Sequence, residues 1–449
     1  MSPEYSAYTN PGLLVIFMYA PAGLGHLRVT DALWHGMPPG VHDPLLLGAD
    51  NTTITFIHRL MSINPLIRQI SEWLERGWGE NITTALYRWE LRTHSKLLYK
   101  QMIGIINNRY NKPKEILIIA THFGLAHQLS AIKSTLEKET GIRIILVVQV
   151  TDDSPHHIWY ISGADLIIVP SETTKKKLEM YGKKIHAHVR FVVNAYPLSP
   201  IINTTLTDEQ MKNRIDQVDI TKQNAINMII PISGAAVGTD FFMKLIHQLH
   251  EKSNRFVFHV VAKNAPFTQH FVQQMLDLSY VDLSVASADR EVIDNYERIY
   301  QQKIISLEVT KPSEQSFKAL LDCSKQGASI LVFAEPVGRQ EEDNLAFLQR
   351  HHLMPSADEQ HQLWQYAQTD APLTIAEREA LLHKAESWRG ISLPHHSLAA
   401  SHFMWWCLRE GVFSAMVHCR PNHAKHESHS IEVNAHGVET FWKIVAPLL

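Results

Sequence analysis

The chain has 449 residues, 19% of them charged and 45% hydrophobic, with a formal net charge of −3. That length calls for two or three domains, each with a sizeable core. The charge balance argues against a nucleic-acid binder, which carries a basic excess, and no apolar run reaches the roughly 18 residues of a membrane span. Three scattered cysteines, Cys323, Cys407 and Cys419, form no disulfide framework, so a reducing, cytoplasmic setting is expected. The first apolar run has no basic flank and does not read as a signal peptide.

Taken in chain order, the apolar runs 13–18, 116–119, 144–148 and 166–169 read as buried parallel strands. Continuous runs of this length suit strands covered on both faces, and the helical segments between them complete βαβ units. Residues 198–224 are polar with weak periodicity and mark a boundary. The alternation then restarts with strands at 228–230, 256–261, 304–307 and 330–333 and a helix at 240–252. The expected class is α/β, with two such halves in tandem. Helices at 362–368, 375–388, 401–408 and 438–448 complete the chain. The last of these is expected to cross back and brace the N-terminal domain.

The first strand leads into Tyr19-Ala20-Pro21-Ala22-Gly23-Leu24-Gly25-His26 and then a helix at 27–34. A small-residue turn there lets backbone N–H groups approach a ligand, and the helix N-terminus favours a phosphate or oxyanion. Gly23 and Gly25 are the loop's candidates. An imidazole at its lip, His26, suits a general base near neutral pH. In isolation, a histidine that caps the helix or packs on the sheet is an equal reading.

The same loop resembles the glycine-rich loop and following histidine of GT-B glycosyltransferases. The similarity is to monogalactosyldiacylglycerol synthases, processive lipid glycosyltransferases and the related peptidoglycan GlcNAc transferases. Val150-Thr151-Asp152, His156, Trp159, Gly163-Ala164-Asp165 and Val169-Pro170-Ser171-Glu172 resemble that group's T-D, H-x-x-W, G-A-D and V-P-S-E pattern. Ser233-Gly234-Ala235-Ala236-Val237-Gly238 looks like the glycine-rich loop of its C-terminal domain. Lys311-Pro312-Ser313 and Gln340-Glu341-Glu342-Asp343-Asn344 are similar to its donor-site motifs. Together these cover roughly residues 10–355.

The resemblance implies two facing Rossmann-like domains with a helical extension. The divisions are an acceptor domain at 1–200, a linker at 201–224, a donor domain at 225–360 and the extension at 361–449. It implies sugar transfer from a nucleotide-diphosphate donor, UDP above all, to an acceptor hydroxyl, with inversion and without metal or other cofactor. Ser233, Gly234, Gly238, Lys311, Pro312, Ser313, Glu335, Gln340, Glu341 and Asn344 would contact the donor, and His26 and Asp152 would be catalytic. Departures are visible: alanines replace glycines at 235 and 236, Glu314 stands where a glycine is usual, Ala319 falls on the ribose-binding glutamate, and Arg339 separates Gly338 from Gln340. They keep two alternatives open, a nucleotide-sugar enzyme resembling UDP-GlcNAc 2-epimerases and a non-catalytic binding protein of the same fold.

Aromatic and basic residues crowd the stretch 66–100, including Trp73, Trp78, Tyr87, Arg88, Trp89, Tyr99 and Lys100. Such a segment suits either packing against the sheet or, as in the lipid-modifying relatives, peripheral contact with a lipid acceptor and the inner membrane face. His423, His426 and His429 recur at spacings of three, but their setting reads as an exposed segment rather than a metal site.

Overall fold

The computed structural model describes residues 3–19, 24–48, 88–93, 95–232, 236–333, 338–418 and 431–449. Two compact units result. Unit 1 comprises residues 1–199 and 436–449, and unit 2 comprises residues 200–435.

Unit 1 is built on a parallel sheet. Its strands are β1 (Leu13–Tyr19), β2 (Leu45–Gly48), β3 (Glu115–Ala120), β4 (Arg143–Gln149), β5 (Leu166–Val169) and β6 (Phe191–Val193), in the order β2-β1-β3-β4-β5-β6. Leu14, Ile16 and Met18 face one core with α2 (Lys96–Asn107) and α3 (Phe123–Thr140). Phe17 points the other way, against Trp34 of α1 (Leu24–His35) and Trp442. The continuous apolar runs are therefore strands buried on both faces. The chain moves from β1 to β2 on one side and later to β3 on the other, so the carboxyl ends of β1 and β3 form a switch point, where α/β sheets present ligands. Register places Met18 beside Ala120 there.

Unit 2 opens with α5 (Asp208–Val218), closed at its start by a Thr207–Gln210 capping box. The polar stretch read as a boundary thus contains a helix of its own. Its sheet comprises β7 (Ile226–Pro231), β8 (Phe256–Lys263), β9 (Val281–Ala286), β10 (Leu307–Thr310), β11 (Ser329–Val332) and β12 (Gly390–Ser392). The order β12-β11-β10-β7-β8-β9 is that of the Rossmann sheet, with the switch point between β7 and β10. Main helices are α6 (Thr239–Lys252), α8 (Asp289–Gln302), α9 (Arg339–Arg350), α10 (Ala357–Thr369) and α12 (Ser397–Glu410).

Residues 361–449 do not form a separate helical extension. Strand β12 lies in the unit 2 sheet beside β11, and α12 supplies Phe403, Met404 and Trp406 to the unit 2 core. Three residues of strand are too few for alternation to reveal. The final helix α14 (Gly437–Val445) belongs to unit 1. There Tyr8 donates to the Trp442 carbonyl at 2.6 Å, and the Trp442 indole donates to the Leu33 carbonyl at 3.2 Å. Gly437 sits so close to the Ala195 and Tyr196 carbonyls that no side chain fits.

Cys323 is buried. Cys407 is free and buried, and burial pushes its thiol well above the usual range. Cys419 and the histidines at 423, 426 and 429 lie outside the described residues. Among the described residues no helix is long and apolar enough to cross a membrane.

Candidate functional site

In unit 1 the helix α1 starts at Leu24, so Gly25 and His26 occupy its first turn rather than the preceding loop. Gly23 lies outside the described residues. His26 is half-buried, and its Nδ1 lies 3.1 Å from the Thr151 hydroxyl. Its carbonyl meets two hydroxyls, Thr30 at 2.9 Å and Thr121 at 3.2 Å, which lie 2.7 Å from each other. Thr121 follows β3 directly, so the switch point itself grips the first turn of α1. Around the imidazole ring stand His122, with centroids 5.0 Å apart, and Trp159 at 6.2 Å. Phe123 stacks on His122 and meets Trp159 edge-on at 5.4 Å.

The motif around Asp152 divides into three tasks. Thr151 holds His26, and its own carbonyl accepts the Tyr196 hydroxyl at 3.1 Å. Asp152 is buried and accepts the Ser154 N–H at 3.1 Å. Asp153 accepts the Ser171 and Thr174 hydroxyls at the start of α4 (Glu172–Lys184). Ser171 caps that helix, accepting the Thr174 N–H at 3.1 Å. Thr151, next to Asp152 in the sequence, is a side chain on the imidazole that the sequence reading did not single out.

His157 does not stand alone. It stacks on Tyr181 at 3.9 Å, and its carbonyl accepts from Arg88. Of the aromatic, basic stretch, residues 66–87 lie outside the described residues. Trp89 is 69% exposed, and Tyr99 donates to Glu139.

In unit 2, Ser233, Gly234 and Glu335 lie outside the described residues. Past the β7 strand, Ala236 and Gly238 both adopt left-handed backbone, with φ of 52° and 85°. Gly238 caps α6, and any Cβ there would run into the Phe333 ring. The amides of the α6 N-terminus thus stand at the carboxyl end of β7, the arrangement that binds phosphate. The end of β10 meets α9 at the same edge of the sheet. Lys311 pairs with Glu341 at 2.6 Å, both nearly buried, and the Asn344 amide lies 3.5 Å from the Pro312 carbonyl. The Ser313 carbonyl accepts the Ser316 hydroxyl at 2.7 Å, and Gln340 is exposed. Four of the predicted donor residues, Lys311, Pro312, Glu341 and Asn344, are so brought together, and Glu341 faces a cation. Arg339 pairs with Asp343 at 3.4 Å.

No protein-family model matches the chain. No curated protein matches it either. Among solved structures it is similar to the S. aureus MnaA–UDP co-structure, at 10% identity over 97% of this chain and 96% of that one, with a TM-score of 0.46. It is similar to Arabidopsis thaliana UGT89C1 at 10% identity over 97% and 98%, with a TM-score of 0.45. It is also similar to Anabaena Alr3699/HepE in complex with UDP and glucose, at 11% identity over 97% and 99%, with a TM-score of 0.44. At these values no residue role or activity passes from those proteins to this chain.

Sequence reasoning missed a second cluster in unit 2. Glu308 on β10 is fully buried and pairs with Lys318. It accepts the Tyr296 hydroxyl at 2.7 Å and the Tyr300 hydroxyl at 2.6 Å, and Lys318 also donates to Tyr296 at 2.7 Å. Burial, then the Glu308 charge, drives the Tyr300 hydroxyl well above its ordinary range. This network ties the short 3₁₀ turn Glu314–Leu320 to β10, immediately after the Lys311-Pro312-Ser313 segment. A glutamate between Leu307 and Val309 in a buried strand was the available signal. Ala319, where a ribose-binding carboxylate would fall, is itself buried in that turn.

Proposed function

We propose that the chain is an inverting glycosyltransferase that moves a sugar from a nucleotide-diphosphate donor, UDP the simplest, to an acceptor hydroxyl. The observation that carries the reading is His26. A half-buried imidazole stands at a sheet switch point, with Nδ1 3.1 Å from the Thr151 hydroxyl. If Nδ1–H donates to Thr151, the Nε2 lone pair is left to take the acceptor proton. The acceptor oxygen attacks the anomeric carbon as the bond to the diphosphate breaks, through an oxocarbenium-like transition state. A single displacement inverts the configuration.

Unit 2 supplies the donor groups. The α6 N-terminus supports the diphosphate through backbone amides, with Ser233, Gly234 and Gly238 as its loop. Lys311 is the nearby cation, and an arriving diphosphate competes with Glu341 for it. Glu341, released, accepts from a sugar hydroxyl, a task Gln340 shares. Asn344, Pro312 and Ser313 hold the segment in shape. Amides and Lys311 stabilise the leaving diphosphate. Asp152 acts by holding the loop that presents Thr151. A lipid acceptor and peripheral membrane contact through the aromatic stretch ending at Lys100 extend the same proposal.

The test is a panel of nucleotide sugars with and without acceptor alcohols. Acceptor-dependent nucleotide release supports transfer. Interconversion of the sugar without release replaces it by an epimerase. No rise in melting temperature with any saturating nucleotide points to a non-catalytic protein. In a transferase, His26→Ala lowers kcat by about 10²–10⁴ while nucleotide binding persists; full turnover in that variant removes His26 as the base.

A further inference from the structure

Trp159, whose ring packs beside His26, sits in a short 3₁₀ turn, His157–Trp159. Such a turn has little stability of its own, yet the carbonyls of His157, Ile158 and Tyr160 are held by side chains from outside it. Arg88 donates to the His157 carbonyl and, at 2.9 Å, to the Tyr160 carbonyl. A third contact of its guanidinium, at 3.1 Å, reaches the Tyr181 hydroxyl on α4. Between those two carbonyls, the Ile158 carbonyl lies 2.8 Å from His127 Nε2 on α3.

His127 is fully buried, and its Nδ1 has no hydrogen-bond partner among the described residues. Burial, opposed only partly by the bond to Ile158, lowers its pKa to about 3, with Arg88 and Arg92 adding repulsion. A neutral ring facing a carbonyl must carry its proton on Nε2. The tautomer is thus fixed, and the side chain is a permanent donor to the turn. An orphan Nδ1 in the core is a cost, one that a residue chosen only for packing would avoid.

We propose that Arg88 and His127 are positioning residues: they clamp the His157–Trp159 turn so that the Trp159 indole fixes the orientation of the His26 imidazole for proton transfer. The consequence for catalysis rests on the transferase reading; the clamp itself does not. A side chain reaching the turn's carbonyls from each of two places constrains its arrangement, and the indole, 6.2 Å from the imidazole, then bounds that ring.

The experiment is NMR of the free full-length protein with labelled histidine and tryptophan rings, His26 and Trp159 being assigned by His26→Gln and Trp159→Phe. In His127→Leu and in Arg88→Met, the His26 Hε1 and Trp159 indole N–H signals are expected to shift and broaden as the ring-current contact is lost. His127→Gln, which restores an N–H at the same reach, is expected to return both to their original positions. Unchanged signals in both loss variants overturn the clamp, as does failure of His127→Gln to restore them. Should a loss variant not fold, Trp159→Phe with the clamp intact decides: an unmoved His26 signal overturns the proposal, and a moved one supports it. With a working donor and acceptor, the loss variants should lower kcat with donor KM unchanged. Moved signals together with no turnover on any nucleotide sugar sink the transferase reading alone.

Discussion

The switch points of the two units carry different chemistry on the same kind of sheet. At the ends of β1 and β3, hydroxyls of Thr30, Thr121 and Thr151 meet the backbone and imidazole of His26. At the ends of β7 and β10 the contacts are ionic: Lys311 with Glu341, and behind them Lys318 with Glu308. A nearly buried ion pair can exchange partners, which suits an anionic ligand. On the proposed reading, unit 1 handles the proton and unit 2 the charge.

The largest break is expected from the ionic side. Lys318→Met strands Glu308 without its cation and should destabilise unit 2 by about 3–5 kcal/mol. The double change Glu308→Gln with Lys318→Met should recover much of that loss, because no lone charge remains. Urea unfolding, with hydrogen exchange to separate the units, reads both; equal losses in the single and double variants remove the pair's significance.

In unit 1, His127 predicts an acid limb. Its folded pKa is about 3 against an ordinary value of 6.5, so the unfolded chain takes the proton first. The stabilisation is complete above about pH 6.5 and declines as pH falls toward 3, by up to ~1.4 kcal/mol per pH unit. His127→Gln should flatten this limb in unit 1, which melts at about pH 5 and about pH 7.5 would show. An unchanged acid limb would mean that other groups carry it.

Smaller effects sharpen the contrast. Gly238→Ala forces a side chain into left-handed backbone and toward Phe333; the loss should be about 1–2 kcal/mol, seen in the melting temperature, with weaker nucleotide binding. Thr121→Val leaves one of the two hydroxyls at the His26 carbonyl and should cost about 1 kcal/mol, a drop in unit 1 stability with donor affinity unchanged.

Much of this was legible beforehand. Runs such as 144–148 carry the strand signal because both faces are buried, and Lys311 and Glu341 were named as neighbours in function before they proved neighbours in space. What escaped has physical causes. Strand β12 is three residues long and sits between helices, so no period could show it. Helix α1 begins at Leu24, ahead of the start at 27 that the sequence suggested, with Leu24 buried and the Thr30 and Thr121 hydroxyls on the His26 carbonyl. The Lys318–Glu308 pair joins a strand to a turn ten residues on, a distance no helical or strand period reports.

Helix α14 has a consequence for how the molecule is made. Unit 1 is a discontinuous domain: its last piece is written after the whole of unit 2. During synthesis the unit 2 chain emerges complete while the surface of Tyr8, Phe17 and Leu33 that receives Trp442 is still uncovered. Domains tend to fold as they emerge, so the first half must wait, partly open, for its closing helix. Unit 2 can therefore finish before unit 1, although unit 1 begins first along the chain, and a chain released early would carry a finished unit 2 and an unsealed unit 1.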